Sequence, residues 1–143
     1  DIALSGDFIV GFPGETNDDF EQTLELVREV KYAQAYSFKY STRPGTPAAE
    51  NKHQVPEELK AERLSRLQTL LSTHQKEFMG TMVGKILPVL LERPGRLAGQ
   101  LVGRSEYLHG VHANIDQAKI GDIVNLRILG ADTNSLRAEF VSK

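Results

Sequence analysis

Apolar and polar positions change period along this chain, and the changes mark its elements. Phe8-Ile9-Val10 is a short unbroken apolar run, the pattern of a parallel strand covered on both faces. Gly11-Phe12-Pro13-Gly14 then supplies a turn, and Thr16 with Asp19 three residues on forms a capping-box pattern. Phe20, Leu24, Val27 and Val30 recur at steps of four and three, predicting a helix over Asp18–Val30. Asp18, Asp19 and Glu21 near its start and Arg28 and Lys31 near its end suit the helix dipole. Over Ala35–Tyr40, Tyr36, Phe38 and Tyr40 alternate with Ala35, Ser37 and Lys39, which predicts a second strand. A loop rich in Pro, Gly and hydroxyl groups follows over 41–48, and Pro56 introduces a long helix at Glu57–Met79. Its apolar stripe is Leu64, Leu67, Leu71, His74 and Phe78, which makes His74 a core histidine rather than a catalytic one.

Two β–α units in succession imply a parallel sheet, yet two strands cannot bury both of their faces. Residues 1–79 therefore read as the last part of a larger α/β barrel. Alone they should expose apolar surface, associate, or be covered by other chains. From Gly80 the helical period stops. Short apolar segments at Val83–Leu91, Gln100–Gly103, Gly110–Ala113, Ile123–Leu129 and Leu136–Val141 alternate with turns at Pro94-Gly95, Ile120-Gly121-Asp122 and Asp132-Thr133-Asn134. Five such strands predict a small closed antiparallel β-barrel, OB-like, over residues 80–143, with Pro88 at a bulge or an edge position. The expected class is thus α/β plus all-β, divided at 79/80.

Composition narrows the chemistry. The 143 residues include no cysteine, so disulfides, thiolate zinc sites and iron–sulfur ligation by this chain are excluded. His53, His74, His109 and His112 are too dispersed to argue a metal site. No apolar run approaches the roughly 18 residues of a membrane span. The N-terminus has neither initiator Met nor a basic region, so no signal peptide is read and a cytoplasmic location is expected. It has the look of a cut inside a longer protein. Residues 1–79 carry nine Lys/Arg against thirteen Asp/Glu, a net of −4; residues 80–143 carry eight against six, a net of +2. The second segment is the better place for a polyanion.

The loop after Val10 is the first candidate site, since ligands of parallel α/β proteins bind where strands end. An ordinary tight turn is the competing reading. A triphosphate site there fits poorly, because the Gly-Lys-Ser/Thr ending of a P-loop is missing. Arg43, the cation of the second loop, is either an anion contact or a solvated side chain. In the barrel segment, Arg104, Tyr107, His109 and His112 combine charge with rings that can stack on unpaired bases. Arg96, Lys119, Arg127 and Arg137 could extend that basic surface. The plainer reading, ordinary surface residues, stays open because Glu106 interrupts the patch.

Two segments, Asp7–Thr16 (DFIVGFPGET) and Ser37–Ala48 (SFKYSTRPGTPA), closely resemble consecutive motifs of the radical SAM methylthiotransferases. The remainder, including Gly103-Arg104-Ser105 and Asn134-Ser135-Leu136, resembles that family's C-terminal TRAM domain. Phe38-Lys39-Tyr40-Ser41 with Arg43-Pro44-Gly45-Thr46-Pro47 is most similar to the tRNA-modifying form, with Thr42 where Pro is more usual. The resemblance implies a partial (β/α) radical SAM barrel in which a [4Fe–4S] cluster cleaves S-adenosylmethionine to a 5′-deoxyadenosyl radical. The implied product is methylthiolated at C2 of N6-isopentenyladenosine next to the tRNA anticodon, with a second [4Fe–4S] cluster supporting delivery of the methylthio group. Relatives acting on threonylcarbamoyladenosine in tRNA or on a ribosomal protein share the architecture, and a free-standing RNA-binding module is the alternative from another class.

All cluster ligands in the family are cysteines, so the implied clusters are expected upstream of Asp1, and this chain alone is expected to be inactive, with no catalytic residue of its own. By resemblance Ile9, Val10, Gly11, Pro13 and Gly14 lie against the adenine of S-adenosylmethionine, while Tyr40, Ser41 and Arg43 face the substrate. Glu15 is given no ligand contact. Arg104, Tyr107, His109, His112, Arg96, Lys119 and Arg137 are the expected RNA contacts. The expected partners are the tRNA anticodon arm, the rest of the parent polypeptide and a second fragment paired through the exposed barrel edge; no membrane is expected.

Overall fold

The structure is a computed structural model that describes residues 2–143. Two compact units divide the chain, one over Ala3–Gln75 and the other over Lys76–Lys143, with Ile2 grouped in the second.

In the first unit, β1 (Ser5–Val10) pairs in parallel with β2 (Gln34–Lys39), in register from Ser5 opposite Gln34 to Val10 opposite Lys39. Between them α1 (Asn17–Val30) begins on a complete capping box. Asp19 N–H donates to Thr16 Oγ1 at 3.1 Å, and Thr16 N–H donates to Asp19 Oδ2 at 2.8 Å. Hydrogen bonding of the carboxylate by the Thr16 main chain, and then by the Thr16 hydroxyl, holds the Asp19 carboxyl below its ordinary pKa. Left-handed Lys31 closes the helix by donating its N–H to the Val27 carbonyl. A short α2 (Pro47–Glu50) follows, and α3 (Glu57–Gly80) begins in this unit. The Phe20–Leu24–Val27 stripe of α1 packs with Val10, Leu67 and Leu71.

Only one face of this sheet is covered. Phe8 and Val10 turn toward the helices, whereas Ile9, Tyr36 and Phe38 remain 60%, 59% and 55% exposed on the other face. The reading of Phe8-Ile9-Val10 as covered on both sides is therefore corrected within this chain. A two-stranded sheet with helices on one side has nothing to place on the other. The expected exposed apolar surface is present.

The second unit is a closed barrel with ring order β3-β4-β5-β7-β6. Its strands are β3 (Ile86–Pro94), β4 (Gln100–Ser105), β5 (Gly110–Asn114), β6 (Ile123–Ala131) and β7 (Leu136–Ser142). Leu87, Val89 and Leu91 alternate inward on β3 and meet Val124, Leu126 and Ile128 of β6, with Met79 and Met82 in the same core. The expectation of an antiparallel barrel is corrected: β5 and β7 pair in parallel, His112 opposite Arg137. A closed ring with an odd number of strands cannot alternate direction all the way round, so one parallel seam is forced. The first strand also starts later than its composition suggests. Residues 81–85 form turns, with Met82 N–H donating to the Met79 carbonyl at 3.0 Å. Pro88 pairs with β6 only, an edge position toward β4, while the bulge of β3 lies between Leu91 and Arg93.

Candidate cofactor and nucleic-acid surfaces

The loop that leaves β1 is held by its own side chains. Gly11 has φ +72°, and a Cβ there would lie 2.8 Å from Lys60 Cδ and closer still to Cγ. The room that glycine leaves is thus filled by the Lys60 stem, not left for a ligand. Lys60 Nζ donates to the Tyr40 carbonyl at 3.2 Å and pairs with Glu57 at 2.8 Å. Glu57 also pairs with Lys39, and these two ammonium partners depress its carboxyl from the ordinary 4.5 to about 2. Gly11 N–H donates to Glu15 Oε1 at 2.9 Å, and Gly14 N–H donates to the His53 carbonyl at 2.8 Å.

The residues expected around adenine separate by face. Ile9 stands on the open face with Phe38, its register partner. Val10, 0% exposed, points into the core, and Pro13 is buried, so neither offers its side chain to a ligand. Strand alternation dictates that split: neighbours in a strand face opposite ways. Tyr40 is buried, stacked edge-on against Phe12 at 5.3 Å, and its hydroxyl has no hydrogen-bond partner. Ser41 and Arg43 are exposed, and the Arg43 carbonyl accepts from Thr46 Oγ1 at 2.8 Å, which caps α2. Beside Gly14 and Glu15 lies a cleft of about 430 Å³ bounded by His53, Gln54, Val55, Pro56 and Leu59.

Sequence reasoning missed Arg63. Its Nη1 donates to Glu15 Oε1 at 2.7 Å, and its Nη2 donates to Asn17 Oδ1 at 2.7 Å. A signal existed, since Arg63, Leu67 and Leu71 fall at four-residue steps on one helix face.

On the barrel, Arg104, His112 and Arg137 occupy outward positions of the adjacent strands β4, β5 and β7. Arg104 Nε lies 3.4 Å from Glu92 Oε2 in an exposed pair. His112 is half-buried, with Ser135 Oγ 3.3 Å from Nδ1 and Asp132 Oδ2 3.5 Å from Nε2. The Arg137 guanidinium lies over Gly130, where a Cβ would sit 2.6 Å from Nη2. Tyr107 is half-buried and edge-on to Phe78 at 5.8 Å. Arg127 is paired with Glu139 at 3.5 Å.

His109 corrects the sequence reading. It is 6% exposed, packed 5.4 Å from Phe78, with both ring nitrogens unpartnered, and burial pushes its pKa down. A ring so enclosed cannot stack on a base. Exposed Leu108, at φ +62°, stands beside it in the hairpin instead. Arg96 and Lys119 are separate from the Arg104 group. They lie in the β3–β4 and β5–β6 loops, at the end of the barrel opposite the 106–109 hairpin.

Among the described residues no group of His, Asp and Glu could hold a metal ion, and no helix is long and apolar enough to cross a membrane.

Residues 80–141 match the family described as TRAM domain. Across 139 residues the chain is 62% identical to the tRNA-2-methylthio-N(6)-dimethylallyladenosine synthase of Agrobacterium fabrum (strain C58). Along nearly its whole length the chain is thus similar to a methylthiotransferase, and its second unit matches a TRAM domain. That match covers 97% of this chain and 30% of the relative, so the chain spans about a third of that protein's length. For the cysteine-ligated clusters that the resemblance implies, this chain has no fitting donors: it contains no cysteine.

Proposed function

We propose that this chain supplies one wall of the S-adenosylmethionine pocket and the RNA-facing barrel of a methylthiotransferase acting at C2 of N6-dimethylallyladenosine next to the tRNA anticodon. The observation that carries this reading is the 62% identity to a synthase of that name, sustained along nearly the whole chain. Residues 1–79 act as the end of the radical SAM domain and 80–143 as the TRAM domain. S-adenosylmethionine, when bound, supplies the radical precursor. The chemistry itself falls to clusters held by the rest of the parent polypeptide, and the cysteine-free chain is inactive alone.

Ile9 on the open face, with the main chain of Val10, Gly11, Pro13 and Gly14, meets the adenine. Tyr40 contributes its main chain and ring edge, and Ser41 and Arg43 face the substrate. The exposed Ile9–Tyr36–Phe38 face supports this, because an apolar sheet face needs a cover that the parent polypeptide and the cofactor would provide. In the cytoplasm the barrel binds the anticodon arm through Arg104, His112, Arg137 and Tyr107. Arg96 and Lys119 form a second, separate contact for the RNA backbone.

Binding of an anticodon stem-loop to the chain as salt is varied tests the RNA half. Arg104→Ala and Arg137→Ala should each weaken binding and each reduce the slope of log affinity against log salt by about one. An unchanged affinity and slope in both variants refutes the assignment of this face.

A further inference from the structure

The buried Arg63–Glu15 pair has a place in the fold that stability alone does not require. Arg63 is 3% exposed and sits over the Phe20 ring at 5.7 Å. Its Nη1 donates both to Glu15 Oε1 at 2.7 Å and to the Glu15 carbonyl at 3.1 Å, while Nη2 reaches Asn17 Oδ1 at 2.7 Å. The same Glu15 Oε1 accepts the Gly11 N–H at 2.9 Å. One charged relay thus runs from α3 through Glu15 to Gly11, the first residue after β1. It brackets the turn from Gly11 to Gly14 at both ends. One helical turn earlier, Lys60 lays its stem along Gly11 and donates to the Tyr40 carbonyl, fastening the second strand's end to the same helix. A buried guanidinium without its carboxylate, or the reverse, leaves an uncompensated charge, so the pair holds its geometry strongly. With Nη1 held by Glu15 and Nη2 by Asn17, the planar guanidinium is fixed in direction as well as distance.

We infer that Arg63 is a positioning residue for the cofactor: through Glu15 it sets the Gly11–Gly14 turn in the shape that receives the nucleoside of S-adenosylmethionine. This rests on the reading of that turn given above. Arg63 is too enclosed to meet the ligand itself, and affinity for RNA does not depend on it.

The test uses the full-length, cluster-loaded parent enzyme and S-adenosylhomocysteine, which lacks the sulfonium methyl and so is not cleaved. Arg63→Met should raise its Kd by about tenfold, because a displaced loop loses its aligned contacts. Adding Glu15→Gln, which removes the orphaned carboxylate yet keeps an acceptor for Gly11 N–H, should recover about threefold of that loss. Binding of the anticodon stem-loop should stay at the parent value. Arg63→Lys, which keeps the charge but loses the fork, should fold and bind with an intermediate Kd. Gly11→Ala separates the two claims. If it raises the Kd while Arg63→Met does not, the positioning role is overturned and the loop reading stands. If neither changes the Kd, the loop reading falls and the inference with it. Failure of both Arg63 variants to fold assigns the pair to stability alone and overturns the inference.

Discussion

Gly103→Ala is expected to break the barrel where β3 and β4 meet. Gly103 lies opposite Leu91 in the ladder, and a Cβ built on it comes within 2.8 Å of both the Leu90 carbonyl carbon and Val89 Cγ1, and closer still to the Leu90 oxygen. Ordinary carbon contacts need about 3.5–4.0 Å, so the shortfall is about 1 Å against main chain that cannot rotate away. Relieving it means spreading two strands normally about 4.8 Å apart. That weakens about two ladder hydrogen bonds at about 1 kcal/mol each. It also disturbs Val89, which is completely buried, and overpacking adds about 1–3 kcal/mol. The sum is about 3–5 kcal/mol. For a unit the size of Lys76–Lys143, about 4–8 °C of Tm accompanies each kcal/mol, so Tm should fall by at least about 12 °C. Gly110→Ala, on the neighbouring strand, is the control. Its Cβ would find nothing nearer than Ser135 Cβ at 4.0 Å, so stability should stay within about 1 kcal/mol of the parent. Thermal and urea unfolding of both variants check this. A Gly103→Ala protein melting within about 2 °C of the parent would refute the packing argument.

Other consequences are testable on the same material. Glu57 titrates near 2 in the folded chain against 4.5 ordinarily, so its contribution is present above 4.5 and lost as pH falls toward 2. The Tm advantage of the parent over Glu57→Gln should therefore shrink across that window and be constant above it. His109 has its pKa lowered by burial, so the folded chain favours the neutral ring and loses stability as pH falls below 6.5. In His109→Leu the dependence of Tm on pH just below 6.5 should flatten; an unchanged profile would mean the ring is solvated after all. Thr16→Ala removes half of the capping box and should lower stability by about 1 kcal/mol in urea unfolding.

Local chemistry made much of this molecule readable in advance. The Phe20–Leu24–Val27 stripe became core, Thr16 and Asp19 cap as their spacing implied, and the barrel strands fall at the predicted apolar segments. What escaped depends on partners distant in sequence or on ring closure. An apolar run such as Phe8-Ile9-Val10 does not say whether the cover for its second face belongs to the same chain. Alternation within strands gives no direction to their pairing, so the parallel β5–β7 seam follows only once the barrel is known to close on five strands. His109 looked exposed among polar neighbours. Yet Leu108 adopts a left-handed conformation and the ring turns inward against Phe78. Arg63 shares a helix face with Leu67 and Leu71, yet drew no reading from the sequence because its partner Glu15 lies 48 residues away.

The outer face of β4, β5 and β7 is the proposed tRNA-reading surface. Its most direct test is an amide chemical-shift titration of the ¹⁵N-labelled chain with an anticodon stem-loop carrying N6-dimethylallyladenosine. The largest shifts are expected at Arg104, Tyr107, His112 and Arg137, diminishing as salt is raised. Shifts confined to the loops around Arg96 and Lys119, with the Arg104 strand unmoved, would contradict it.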